Sequence, residues 1–392
     1  MLFKRKLMPS ALRTPASLFV MVTLSFALTS CGTNTPVVVC AASSGGNCQC
    51  GPGTEACPIS PGPEFLYATS TGGQILAFSI DRNSGALTTL ASVPGPSTSL
   101  GLASVNNQFL YASDELHAQL DGFSIDQTTG ALTPLAASPF SGGTFGLPVG
   151  LASPPGSSLL YAADARSVDA VTISATGTPT AISGSPFPSG SNLFLTVDPS
   201  AKFLYSSDED PPGAIFAFTI DSTGALTAVP NSPFAIPGQK VPNSQPYGIV
   251  DTGSYVYAAL SQTNQIAAFS IMSGAGALVP VPNSPFSAGA TPTALIFAGG
   301  FLYAVNSLDG TISGYSVDSN SGVLTPLSGS PFSIAGASMA ADSFGQYLYV
   351  AGPNGIQAFS INPTTGALAP VSGSPFPATQ ARLLTVVQIP PA

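Results

Sequence analysis

Residues 301–332 read FLYAVNSLDGTISGYSVDSNSGVLTPLSGSPF, and the fold follows from this stretch. Its opening run, FLYAV, is short and continuously apolar, the pattern of a strand covered on both faces, where strict alternation is not required. After a polar loop a second strand, TISGYSV, sets small Ser313 and Gly314 among Ile312, Tyr315 and Val317, which suits one sheet packed closely on another. Asp318 and the Ser321-Gly322 pair supply turn chemistry: a carboxylate that accepts local N–H bonds, and a glycine free to take positive φ. Leu324 and Leu327 open a third strand. The unit closes on Ser330, Pro331 and Phe332, where proline, lacking an N–H, confines the chain to a sheet edge or a strand end.

The unit occurs seven times. Its tyrosine falls at Tyr67, Tyr111, Tyr161, Tyr205, Tyr257, Tyr303 and Tyr349, at intervals of 44, 50, 44, 52, 46 and 46 residues, enough for four short strands each. The second-strand aromatic recurs as Phe78, Phe123, Phe218, Phe269, Tyr315 and Phe359, with Val171 in the third copy. The turn glycine recurs as Gly85, Gly130, Gly224, Gly276, Gly322 and Gly366, and the third copy is weakest, with Gly177-Thr178-Pro179. Six copies end in Ser-Pro-Phe, while the first has Pro94-Gly95-Pro96.

A fourth strand comes from the apolar segments 100–105, 148–152, 193–197, 247–250, 293–297, 338–341 and 383–389. Each of the seven follows a copy and none precedes the first, so the last must complete the first sheet. An open stack would leave sheet faces bare at both ends, whereas a ring covers every one. The expected fold class is therefore all-β, a seven-bladed β-propeller over residues 64–392, closed by a C-terminal inner strand.

Seven copies built on FLYA, AFSID and TGAL resemble the bacterial seven-bladed propellers grouped with 6-phosphogluconolactonase and the YVTN-repeat surface proteins. The resemblance spans residues 65–389 and rests on strand and turn residues, so it speaks for the scaffold more than for an activity. It implies lactone-ring hydrolysis as one possible activity, performed in that family by His, Arg and Glu around the channel mouth.

The chain of 392 residues is 44% hydrophobic and only 7% charged, with 41 Gly and 38 Pro. Lys4, Arg5, Lys6 and Arg13 precede an apolar run at 18–28, too short for a bilayer core that needs about 20 residues, so residues 1–30 read as a secretory signal. Its ending, Leu28-Thr29-Ser30-Cys31, resembles a bacterial lipobox, with Cys31 the lipidated residue and Gly32 directing the product toward the outer membrane. An exported protein anchored by lipid in the cell envelope is the expectation. Without the leader, five basic residues face 18 acidic ones, a net charge of −13, which excludes a nucleic-acid face. Residues 31–63 form a Gly, Pro and Ser-rich tether holding Cys40, Cys48, Cys50 and Cys57, which read as two disulfides of open pairing, with a zinc knot as the alternative.

With the inner strand counted first in each blade, so that FLYAV becomes strand two, candidate chemistry lies on the rim formed by connections from strand two to three and from strand four to the next inner strand, the usual surround of a channel mouth. The strand two-to-three loops and their flanks carry Asp114, Glu115, His117 and Asp121; Asp164, Arg166 and Asp169; Asp208, Glu209 and Asp210; then Asn264, Asp309 and Asn354. Charge thus gathers on three adjacent copies. His117 is the only histidine, so imidazole chemistry must use it, unless it is a solvated loop residue. Arg166 and Asp164 complete the catalytic candidates, with Arg166 expected to pair with Asp164 or Asp169. Asp208, Glu209 and Asp210 offer hard oxygen donors to a ligand or to Ca²⁺, or form a plain acidic loop. Asp81, Asp126, Asp221 and Asp318 recur at the turn and read as caps. No Gly-x-Ser-x-Gly, glycine-rich phosphate loop or HExxH motif occurs. Two functions remain: a monomeric propeller binding protein, glycan or a small molecule at its rim without a cofactor, and a lactonase acting on a neutral lactone.

Overall fold

A computed structural model of the chain describes residues 62–141, 145–238 and 245–391. The leader, residues 31–61 of the tether and the five cysteines lie outside the described residues. The described chain forms seven antiparallel sheets, each one blade of a propeller. In the sixth blade the inner strand Pro292–Ala298 pairs with Phe301–Asn306, then Thr311–Val317, then the outer Leu324–Pro326. The second strand is buried along its whole length because neighbouring blades cover both its faces. Gly314 lies against Leu327, Phe332 and Tyr303, where any larger residue would crowd them.

The outer strand is shorter than the sequence suggests. It ends at Pro326; Leu327 adds one more bond, its N–H donating to the Gly314 carbonyl at 2.9 Å, while its side chain packs into the core. The Ser-Pro-Phe segment then folds back so that Phe332 bridges Ile312, and the Ser330 hydroxyl accepts the Gly314 N–H at 2.9 Å. Five other blades repeat that bond, from Gly122 to Ser138, Ala170 to Ser185, Ala217 to Ser232, Ala268 to Ser284 and Ala358 to Ser374. The serine therefore satisfies a third-strand N–H that would otherwise lack a ladder partner.

The ring closes as the segment count requires. The C-terminal strand Ala381–Gln388 is the inner strand of the first blade, with Tyr67 opposite Thr385 and Ala68 opposite Leu384. At the far end of the pair the Ile389 N–H donates to the Pro63 carbonyl at 2.9 Å. Seven hydrophobic clusters fill the seven junctions between blades, the closing one setting Leu66 and Phe78 of the first blade against Tyr349 and Ile356 of the seventh.

Each repeat tyrosine is fully buried and donates its hydroxyl to the turn-glycine carbonyl of the next blade: Tyr67 to Gly130, Tyr111 to Gly177, Tyr161 to Gly224, Tyr205 to Gly276, Tyr257 to Gly322, Tyr303 to Gly366 and Tyr349 to Gly85. The divergent third copy keeps this bond through Gly177 at 2.6 Å. Burial raises every one of these phenols above its ordinary range. The turn glycine carries positive φ, and at Gly130 an added Cβ would fall within the ring of Phe65 in the preceding blade. Asp81, Asp126 and Asp318 cap the same turns, each accepting two backbone N–H bonds on Oδ1.

Candidate functional site

The connections between second and third strands share one rim with those leading into the inner strands, and most of the sequence's polar candidates stand on it. The last residue of the second strand is the pivot. In blade three Asp164 Oδ1 accepts the N–H groups of Leu147 at 2.8 Å and Ala165 at 2.6 Å. In blade four Asp208 Oδ1 accepts those of Ser191 at 2.9 Å and Asp210 at 3.1 Å. Asn306 does the same for Gly289 at 3.2 Å in blade six. Gly146 and Gly190 leave the room for this, since a Cβ on either would overlap the Asp164 or Asp208 carboxylate. These two acids thus pin the incoming connection, a structural task that the sequence reading left unassigned.

Blade two uses its pivot differently. Asp114, nearly buried, accepts bonds from Thr98 Oγ1 at 3.2 Å, the His117 N–H at 3.3 Å and Gln119 Nε2 at 3.3 Å, and its Oδ2 lies 2.7 Å from His117 Nδ1. Burial pushes the Asp114 carboxyl up, but the bonds from His117 and Thr98 outweigh it and the net direction is downward. In the neutral tautomer that carries its proton on Nδ1, the imidazole donates to Asp114 and keeps Nε2 as its acceptor, on a ring that is 63% exposed.

Arg166 pairs with neither Asp164 nor Asp169, contrary to the sequence expectation. Its guanidinium lies 3.4 Å from Asp210 of the next blade, because adjacent rim loops stand side by side. Both side chains are well exposed, so the pair contributes little to stability. Asp169 is buried, and burial lifts its carboxyl to about 6 despite the Gly146 N–H on Oδ2. Asp121 is lifted to about 6 by burial and then by the charge of Asp114. Among the described residues no three His, Cys, Asp or Glu side chains gather as a cation site.

The channel itself is built from residues read only as strand. Leu102, Leu151, Leu195, Ile249, Leu295, Met339 and Leu384, one from each inner strand, line a central cavity of about 490 Å³. At its rim end stand Phe194 and Tyr247, their rings 5.8 Å apart, together with Arg382. Burial and then the nearby Glu209 carboxylate raise the Tyr247 phenol, while Glu209 is itself raised by burial and by Asp210. A second cavity of about 800 Å³ opens beside the mouth over blades six, seven and one, and it shares Ser307, Gly336, Ala337 and Arg382 with the channel. It exists where blade seven ends its second strand in Gly352 and turns through only Pro353 and Asn354.

Residues 247–338 match the family model described as Lactonase, 7-bladed beta-propeller. Among solved structures, a candidate 6-phosphogluconolactonase from Bacteroides fragilis superposes with a TM-score of 0.69 at 20% identity, over 85% of this chain and 100% of that one. Its counterpart from Bacteroides uniformis gives 0.68 at 20% identity, over 84% and 100%. The periplasmic gluconolactonase of Pseudomonas aeruginosa gives 0.63 at 18% identity, over 84% and 99%. No curated protein matches the chain. The chain thus has the fold of the seven-bladed lactonase-type propellers and carries that family's signature over residues 247–338.

Proposed function

We propose that this lactonase-type propeller is an exported, lipid-anchored binding protein whose small-molecule site is the mouth of the central channel. One observation carries the reading: the apolar channel ends in the Phe194–Tyr247 pair and Arg382, while His117 lines neither the channel nor the adjoining cavity. Concave, largely apolar sites with a few convergent polar groups are the usual form of ligand pockets. Apolar walls with polar groups only at the entrance suit a ligand with a ring or short hydrocarbon body. The basic leader, the apolar run and Cys31 support export and anchoring.

Hydrolysis of a neutral lactone is the second reading, favoured by the His117–Asp114 pair, which has the geometry of a general base and its orienting acid. A lactone panel offered to the purified full-length chain, with His117→Ala beside it, separates the two. Binding without turnover supports the binding protein; turnover abolished by the substitution establishes the hydrolase.

A further inference from the structure

Arg382 has no ion-pair or hydrogen-bond partner among the described residues, although the mature chain sets five basic residues against 18 acidic ones. Its position is built by a register shift. The first blade pairs Ala381 with Ser70 and Leu384 with Ala68, so Arg382 and Leu383 both stand opposite Thr69, whose hydroxyl accepts the Leu383 N–H at 3.2 Å. A bulge of this kind bends the strand and re-aims a side chain. Blade five has the same shift, with Tyr247 and Gly248 between Pro246 and Ile249, and in blade four Phe194 lies between Asn192 and Leu195. Arg382 and Tyr247 therefore occupy equivalent bulge positions. In a ring of seven, blades four and five are the two farthest from blade one, which sets the cation across the mouth from the aromatic pair.

Resting on the channel-mouth reading, we propose that Arg382 anchors a carboxylate, and that the ligand is a small organic monoanion whose ring or hydrocarbon body extends toward Phe194 and Tyr247. A guanidinium recognises a carboxylate through paired, charge-assisted bonds. The charge number follows from the surroundings: one unpaired cation faces a rim carrying Glu209, Asp208 and Asp210, and a second negative charge on the ligand would meet repulsion without compensation. The adjoining cavity of about 800 Å³ gives the anion a way in on the side where the rim has no acidic pivot.

The test compares monocarboxylates, acetate through 3-phenylpropionate, with their uncharged amides on the full-length chain by calorimetry. The carboxylates should bind roughly tenfold or more tighter than the amides, as a charge-assisted bond implies. Arg382→Gln should remove that preference by bringing the carboxylates down to the level of the amides, Arg382→Lys should keep part of it, and Tyr247→Ala should weaken both series. Equal affinity of the wild-type chain for acid and amide overturns the anchor while leaving the mouth as a binding site. Failure of both series to bind overturns the anchor and the mouth reading together.

Discussion

Tyr349 donates its hydroxyl to the carbonyl of Gly85 at 3.1 Å, across 264 residues of chain, whereas the six other tyrosines make the same bond to a glycine 63 to 71 residues onward. One bond type thus joins blade to blade all the way round, including the junction where the chain ends meet. If closure is as firm as the other junctions, Tyr349→Phe should cost as much as Tyr303→Phe. Each leaves a buried carbonyl without its donor, a loss of about 1–3 kcal/mol, and urea unfolding of the two variants measures it.

Removing the last dozen residues deletes the entire inner strand of the first blade and uncovers the cluster that holds Leu66 and Phe78. The truncated chain should lose its single cooperative transition, and calorimetry should show a broadened or multiple unfolding profile. A melt indistinguishable from that of the intact chain would refute the closure.

Gly130→Ala introduces an L residue at φ near +70° and drives its methyl into Phe65. The backbone strain is roughly 1–2 kcal/mol and overpacking adds about 1–3 kcal/mol. Phe65→Leu made alongside it should recover part of the second amount and none of the first, as read from denaturant midpoints.

Stability should fall as pH rises from about 4 to about 6. Asp121, Asp169 and Asp251 are held near 6 in the folded chain, chiefly by burial, against an ordinary value of 3.8. Between those values the folded state binds more protons than the unfolded one, so deprotonation favours unfolding through this window and stability levels off above it. The turn caps Asp81, Asp126, Asp221 and Asp318 are shifted down, so their contribution is present above the ordinary carboxylate range and is lost in more acid solution. Asp169→Asn should flatten the fall when urea midpoints are compared from pH 4 to pH 8.

Lipid attachment at Cys31 is tested by metabolic labelling with a fatty-acid analogue. Label should appear on the wild-type chain and be absent from Cys31→Ser; label that persists would refute the anchor.

The architecture was legible because apolar runs, turn glycines and Ser-Pro-Phe endings recur at nearly constant spacing, and because seven linking segments with none before the first copy can pair only by closing a ring. Tyr303 and Gly366 were both visible as repeating residues, but their bond crosses from one copy to the next, and a copy read by itself gives no sign of it. Arg166 was assigned to its own loop for the same reason, although its partner belongs to the neighbouring blade. Asp164 and Asp208 look like free rim acids in sequence; only the backbone beside Gly146 and Gly190 shows them engaged. Phe194 and Tyr247 lay within segments read as buried strand and Arg382 one residue before the last of them, and the bulges that place them at the channel depend on register, which composition does not encode.

The bond between Ile389 and Pro63 sets the entry and exit of the propeller side by side, on the face away from the channel mouth. The covalent order of the blades is therefore separable from their pairing. Splicing the two ends together and reopening the chain at the exposed Ser273-Gly274 turn would yield a circular permutant with every ladder retained. It follows that a reporter domain or surface linker can be fused at either end without obstructing the opposite entrance.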